Sequence, residues 1–349
     1  MFTQNAIQLL RDLITIESFS GQEENTAKRI EQWFKEYNIS FHRKDNNLWA
    51  TNKHFDPKKP TLLLNSHHDT VKPNAAYTRN PFEAVIEDGK LYGLGSNDAG
   101  GALVSLLATF THFYDQTELK YNLIVAATAE EESAGTKSLH ALIHELPKID
   151  LAIVGEPTQM NLAIAEKGLV VFDATIKGTP GHAAHQNNDN PLMKIPDVIH
   201  ALQNLQFEKI SPLLGAVKVT LTQIEAGSQH NVIPAEVKMV IDARVNEMYR
   251  NEDIEAALKK ALPCEVNARS LRLRSSSISP SHPLVMAGQK LGKKTYGSPT
   301  LSDQAALDCP SLKMGPGDTL RSHSADEFIY IKEIEEGIAL YIELLNKIL

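Results

Sequence analysis

Hydrophobic positions in the first third of the chain change period repeatedly. In "SGQEENTAKRIEQWFKEYN" (20–38), Ala27, Ile30, Trp33, Phe34 and Tyr37 share one helical face behind a Ser20/Gly21 start signal. Short apolar runs follow at "TLLLNS" (61–66), "NLIVAAT" (122–128) and "LAIVG" (151–155), separated by helical stretches such as "GALVSLLATFTHFY". Apolar strands alternating with helices predict an α/β domain with a mainly parallel sheet flanked by helices. From about residue 168 the period becomes two. "LVVFDATIKG", "AVKVTLTQI" and "EVKMVIDARV" are longer strands, and in the last Val237, Met239, Ile241, Ala243 and Val245 face one side while Lys238, Asp242 and Arg244 face the other. That is the pattern of an antiparallel sheet with one solvated face, and helical stretches near "NPLMKIPDVIHALQNL" and "NEDIEAALKKAL" complete a small α+β module. After "SSSISPSHP", which reads as a linker, helical segments bracket a Gly/Pro-rich loop. The expected organisation is a discontinuous catalytic domain, 1–167 and 275–349, with an α+β domain, 168–274, inserted into it.

Length supports two domains, since 349 residues exceed the span of about 150 residues typical of one. The composition is 42% hydrophobic and 22% charged, with no apolar run near the roughly 18 residues of a membrane span. A net charge of −8, from 35 basic and 43 acidic residues without a single-sign block, argues against a nucleic-acid partner. The stretch "MFTQNAIQLLRDLITIESFS" lacks the basic, apolar and small-residue succession of a secretory leader, so a cytoplasmic protein is expected. Two cysteines, Cys264 and Cys309, are too few for a disulfide scaffold or thiolate cage. Any metal must therefore use histidine and carboxylates.

Those residues gather where apolar runs stop: His67 and Asp69 in "SHHDTV", Asp98 in "GLGSNDAGG", Glu130, Glu131 and Glu132 in "TAEEES", Glu156 in "VGEPT", and His323 in "RSHSADEF". In open α/β sheets ligands sit outside the carboxyl ends of the strands, so these ends point to one shared site. Two imidazoles and several carboxylates suit zinc, cobalt or manganese, and could hold two ions. Taken singly each residue has a bland explanation: a His-x-Asp turn, a solvated acidic first turn of a helix, a Glu-Pro helix entry. Their conjunction shifts the balance toward chemistry.

The ordered series "SHHDTV", "GLGSNDAGG", "TAEEES", "VGEPT", "GTPGHAAH", "GSQHNVIPAE…DAR" and "GPGDTLRSHSADEF" resembles the di-zinc amidohydrolases that include acetylornithine deacetylase, succinyl-diaminopimelate desuccinylase, aminoacylase and glutamate carboxypeptidases. The resemblance spans nearly the whole chain and implies that the inserted module is a lid and dimerisation domain. It implies two Zn2+, replaceable by Co2+, with His67 and Glu156 on one ion, Glu132 and His323 on the other, and Asp98 bridging both. Asp69 would orient His67, and Glu131 would be the general base. His182 would stabilise the oxyanion, with His185 its near competitor, while Asn231, Arg244, Ser302 and Asp303 would contact the substrate. Where relatives commonly read Asp-Met-Lys-Gly-Gly, Asp98 is followed by Ala99, Gly100 and Gly101, which sets this chain apart from the best-known acetylornithine enzymes. It looks closest to the subgroup acting on N-acetylornithine, N-acetylcitrulline or N-succinylornithine in arginine synthesis. The implied partner is a small N-acyl amino acid, bound by a homodimer. The alternatives are a metallo-dipeptidase or carboxypeptidase of the same family and a non-catalytic binding protein on the same fold, the latter disfavoured by the intact Glu131.

Overall fold

The computed structural model describes residues 2–349, which divide into two compact units. One comprises the chain up to Ile164 with Ser277–Tyr296 and Ser302–Leu349; the other comprises Ala165–Ser276 with Gly297–Leu301. No helix among the described residues is long and apolar enough to cross a membrane.

In the first unit four fully buried strands run parallel in the spatial order Asn122–Thr128, Thr61–His67, Leu151–Val154, Ser311–Lys313. Short antiparallel strands flank them, Asn47–Thr51 on one side and Leu162–Glu166 on the other. The register sets His67 opposite Thr128 and Asn65 opposite Val154, so the polar residues that end each run arrive at one sheet edge. The apolar middles, such as Leu62 to Leu64 and Leu123 to Val125, are buried. Helix Gly101–Phe113 is apolar all round and correspondingly buried from Gly101 to Phe110. The early amphipathic helix runs Glu24–Glu36 and buries Ala27, Ile30, Trp33 and Phe34. It starts later than the Ser20/Gly21 signal suggests, because Ser20 spends its hydroxyl on Asp69 Oδ2, at 2.6 Å, rather than on a helix amide.

The second unit holds an antiparallel sheet ordered Lys218–Glu225, Glu236–Val245, Gly168–Lys177, Glu265–Ala268. The expected alternation is present: Val237, Met239, Ile241, Ala243 and Val245 are buried against Val170, Phe172, Ala174 and Ile176 and against Val198, Ile254 and Leu258 of two helices. We expect Ile241→Val to cost about 0.5–1.5 kcal/mol for the methyl lost from this close-packed layer. Lys238→Ala, on the exposed face of the same strand, should stay within about 0.5 kcal/mol. Chemical denaturation of both variants checks this, and equal effects would contradict the assignment of faces.

Candidate metal centre

His67 ends its strand and is 1% exposed. Its Nδ1 lies 3.0 Å from the Asp69 carbonyl oxygen and 3.3 Å from Asp69 Oδ1, so the main-chain oxygen is the nearer acceptor and the carboxylate the second. Donation from Nδ1–H leaves the Nε2 lone pair directed elsewhere. That nitrogen is 3.5 Å from Asp98 Oδ1 and 3.9 Å from Glu156 Oε1. The other imidazole, His323, sets its Nε2 3.6 Å from Asp98 Oδ2 and 3.0 and 3.1 Å from the two oxygens of Glu132. One aspartate thus offers a separate oxygen to each imidazole. The ligand atoms of His67, Asp98 and Glu132 all lie within 4.8 Å of one another.

Three buried carboxylates, Asp69 among them, also hold the loops around the imidazoles in place. Asp69 accepts the Glu131 N–H on Oδ1 and the Glu132 N–H on Oδ2, both at 3.1 Å, and the Ser20 hydroxyl besides. Glu23, fully buried, accepts the Gly21 and Glu130 amides and the Asn46 side chain. Glu327 accepts the Gly95, Asn97 and Asp98 amides. Neither Glu23 nor Glu327 was assigned a role from the sequence, although each lies inside a quoted stretch, "SGQEENTAKRIEQWFKEYN" and "RSHSADEF". Gly95 permits the turn before Asp98: its φ is +75°, and a Cβ there would stand 2.6 Å from Thr70 Cγ2. Among the three consecutive glutamates, Glu130 turns its side chain back to accept the Lys137 N–H at 3.0 Å, whereas Glu132 reaches His323.

Electrostatics show what so acidic a cluster demands. Burial pushes Glu131 well above the carboxylate range, and the Glu156, Asp303 and Glu132 charges add to it against the pull of His67. Burial, with Asp98 beside it, raises Glu156 to about 8. For His67 burial opposes the charged ring, yet Asp69 and Asp98 outweigh it and hold the imidazole above its ordinary value. Contact with Glu132 lifts His323 to about 9, and burial opposes it. Burial and Asp98 likewise lift Glu327 to about 8, while its three amides pull it down. Carboxylates this close cannot all ionise without a compensating cation. Nitrogen and oxygen donors on both sides of one bridging carboxylate fit two divalent ions.

Ser302 and Asp303 are buried in the same unit. Ser302 caps a short 3-10 turn by accepting the Gln304 N–H, and Asp303 Oδ2 accepts from Asn65 Nδ2 at 2.8 Å and Thr128 Oγ1 at 2.6 Å. Asp303 therefore joins the ends of two neighbouring strands. His182, Asn231 and Arg244 belong to the second unit. There Gly181–His182 pairs with Val232–Ile233, and the Ala183 N–H donates to the Asn231 carbonyl, so the "PGHAAH" and "HNVIP" motifs meet. His182 Nδ1 accepts the Ala184 N–H at 3.1 Å, which leaves Nε2 as the protonated nitrogen of the neutral ring. The His185 ring is 5.7 Å away, centroid to centroid. Arg244 is held in a two-point pair by Asp242, at 2.9 and 3.1 Å, on the partly exposed face of its strand.

A parallel α/β sheet whose strand ends assemble this donor set has the architecture of a metal-dependent hydrolase. The chain belongs to peptidase family M20/M25/M40, whose model matches residues 63–347. It is 25% identical to succinyl-diaminopimelate desuccinylase of Rhodospirillum centenum, over 98% of this chain and 96% of that protein. It is 28% identical to acetylornithine deacetylase of Shigella sonnei, over 97% of each. Among solved structures it is similar to an M20 family metallo-carboxypeptidase from Sulfolobus solfataricus, with a TM-score of 0.76 and 17% identity over 99% of both chains. It is similar also to a dinuclear metal-binding M20 peptidase from Bacillus subtilis, with a TM-score of 0.75 and 17% identity over 99% of this chain and 97% of that one. At such identities the structural likeness shows the fold.

Proposed function

We propose that this protein hydrolyses an N-acyl amino acid, N-acetylornithine, N-acetylcitrulline or N-succinylornithine, to the free amino acid and a carboxylate, as a step of arginine biosynthesis. The observation that carries the metal-dependent hydrolysis is the Asp98 carboxylate, with one oxygen toward His67 and the other toward His323; the likeness to a desuccinylase and an acetylornithine deacetylase supports the N-acyl substrate. His67 and Glu156 would hold one Zn2+ and Glu132 and His323 the other, with Asp98 shared and Co2+ able to substitute. Bound there, the ions supply Lewis-acid polarisation of the amide carbonyl and a water acidic enough to attack at neutral pH.

The protein's own groups do the rest. Glu131 takes a proton from the attacking water and returns it to the nitrogen as the C–N bond breaks, so the products leave as carboxylate and amine. Its raised proton affinity suits a group that must accept and then release a proton. Asp69 keeps the His67 ring in one tautomer and anchors the Glu131–Glu132 backbone. His182, with Nε2–H available, is assigned to the oxyanion, and Asn231 and Arg244 to the polar ends of the substrate. Ser302 and Asp303 are assigned to the substrate side through the loop they anchor. A homodimer formed through the second unit completes the proposal; among the described residues its edge strand Lys218–Glu225 has a sheet partner on one side.

The solved relatives named as peptidases favour a second reading, in which the same water attack cleaves a dipeptide or C-terminal peptide bond. Steady-state kinetics on the three N-acyl amino acids and a dipeptide panel decide between them. Preference for one acylated substrate is expected; turnover of dipeptides alone would establish the second reading, and no turnover of either class would overturn both. In the same assays Arg244→Lys should lose about 1–3 kcal/mol of kcat/KM toward a free-carboxylate substrate, because an ammonium cannot copy a two-point grip. Its kcat/KM toward the corresponding amide should change little. If the carboxylate preference survives in the variant, Arg244 serves only its pair with Asp242.

A further inference from the structure

We propose that Glu327 is a positioning residue of the metal centre: its carboxylate clamps the backbone from Gly95 to Asp98 so that the two Asp98 oxygens stay divided between the two imidazoles. Glu327 is 2% exposed, and its Oε2 accepts the Gly95 N–H at 3.0 Å while Oε1 accepts the Asn97 and Asp98 N–H groups at 2.8 and 2.9 Å. Its own carbonyl accepts the Gly93 N–H at 3.0 Å, and the next residue, Phe328, pairs with Tyr92. Backbone and side chain thus grip one short segment from two directions.

Three converging N–H donors call for an acceptor with two oxygens. Glutamine supplies one, and its NH2 would confront at least one of these amides, donor against donor. The clamp also comes from the segment that carries His323, four residues earlier, so it ties the two sides of the proposed bridge to each other. Loosening it should disturb a shared ligand, and therefore both ions together. A terminal ligand such as Glu132 should affect chiefly one.

This assignment rests on two ions being bound at the site, and the test separates the two claims. Metal-free wild type and Glu327→Gln, both full length, are titrated with Co2+ against a competing chelator while the visible absorption of cobalt is followed. Wild type should take up two ions. The variant should bind both about 10–100-fold more weakly, the usual effect of losing an outer-shell partner, with an altered cobalt spectrum and unchanged circular dichroism. Glu327→Asp, which keeps the carboxylate, should recover part of the loss. Two ions bound with wild-type affinity and spectrum in Glu327→Gln would overturn the clamp while leaving the metal site standing, and so would weakening at one site only. No Co2+ bound by wild type would overturn the metal site and the clamp with it. If Glu327→Gln does not fold, hydrogen exchange in metal-free Glu327→Asp decides: faster exchange confined to amides 95–98 supports the clamp, and unchanged exchange there refutes it.

Discussion

Replacing Glu131 by alanine should lower hydrolysis by about 10²–10⁴-fold, the scale of a general acid–base group, with metal content near that of wild type. The expectation rests on what surrounds the side chain. Its proton affinity is raised by burial and by three neighbouring carboxylates, while the Glu131 amide is fixed on Asp69. Removing it takes away the proton carrier and relieves repulsion among the remaining acids, so the ions should still bind. Glu132→Ala should do the opposite and lose metal, because Glu132 faces His323 with both oxygens. Glu130→Ala should do neither, since that side chain is turned to the Lys137 amide. Metal stoichiometry measured beside kcat in the three variants reads the register directly. Metal loss in Glu131→Ala with retention in Glu132→Ala would mean that the assignment is shifted by one residue.

Removal of metal should abolish turnover entirely, and Zn2+ or Co2+ should restore it. Without cations the cluster must take up protons, as the elevation of Glu156 to about 8 and of His323 to about 9 indicates. Ligation needs those same atoms deprotonated, so metal and protons compete and apparent affinity should fall as the pH is lowered. Asp98→Ala should be the most damaging substitution in the centre. It deletes the group facing both imidazoles and leaves His67 with Glu156 and His323 with Glu132 as separate, weaker half-sites. Elemental analysis and activity in a strong chelator check these points together. Full turnover under chelation would sink the metallohydrolase reading, whereas one ion per chain in the purified protein would leave it standing with one site weaker.

Much of this molecule is legible along the chain because it depends on side-chain identity repeated at a fixed period. The alternation in "EVKMVIDARV" determines which face of that strand is buried, and it sets Asp242 and Arg244 on the same face, where they pair. Apolar runs that stop at His67, at the glutamates after Thr128 and at Glu156 determine that a parallel sheet delivers acids and imidazoles to one edge. What only the tertiary structure decided is which atoms meet: the division of the Asp98 oxygens, the turning away of Glu130, the burial of Asp303 between Asn65 and Thr128. The grip of Asp69, Glu23 and Glu327 on the ligand-bearing loops was the least visible part. These carboxylates bind backbone N–H groups, which every residue but proline carries. A partner without side-chain identity leaves no mark in the sequence, and only folding, by bringing those amides within 3.2 Å of the acids, reveals it.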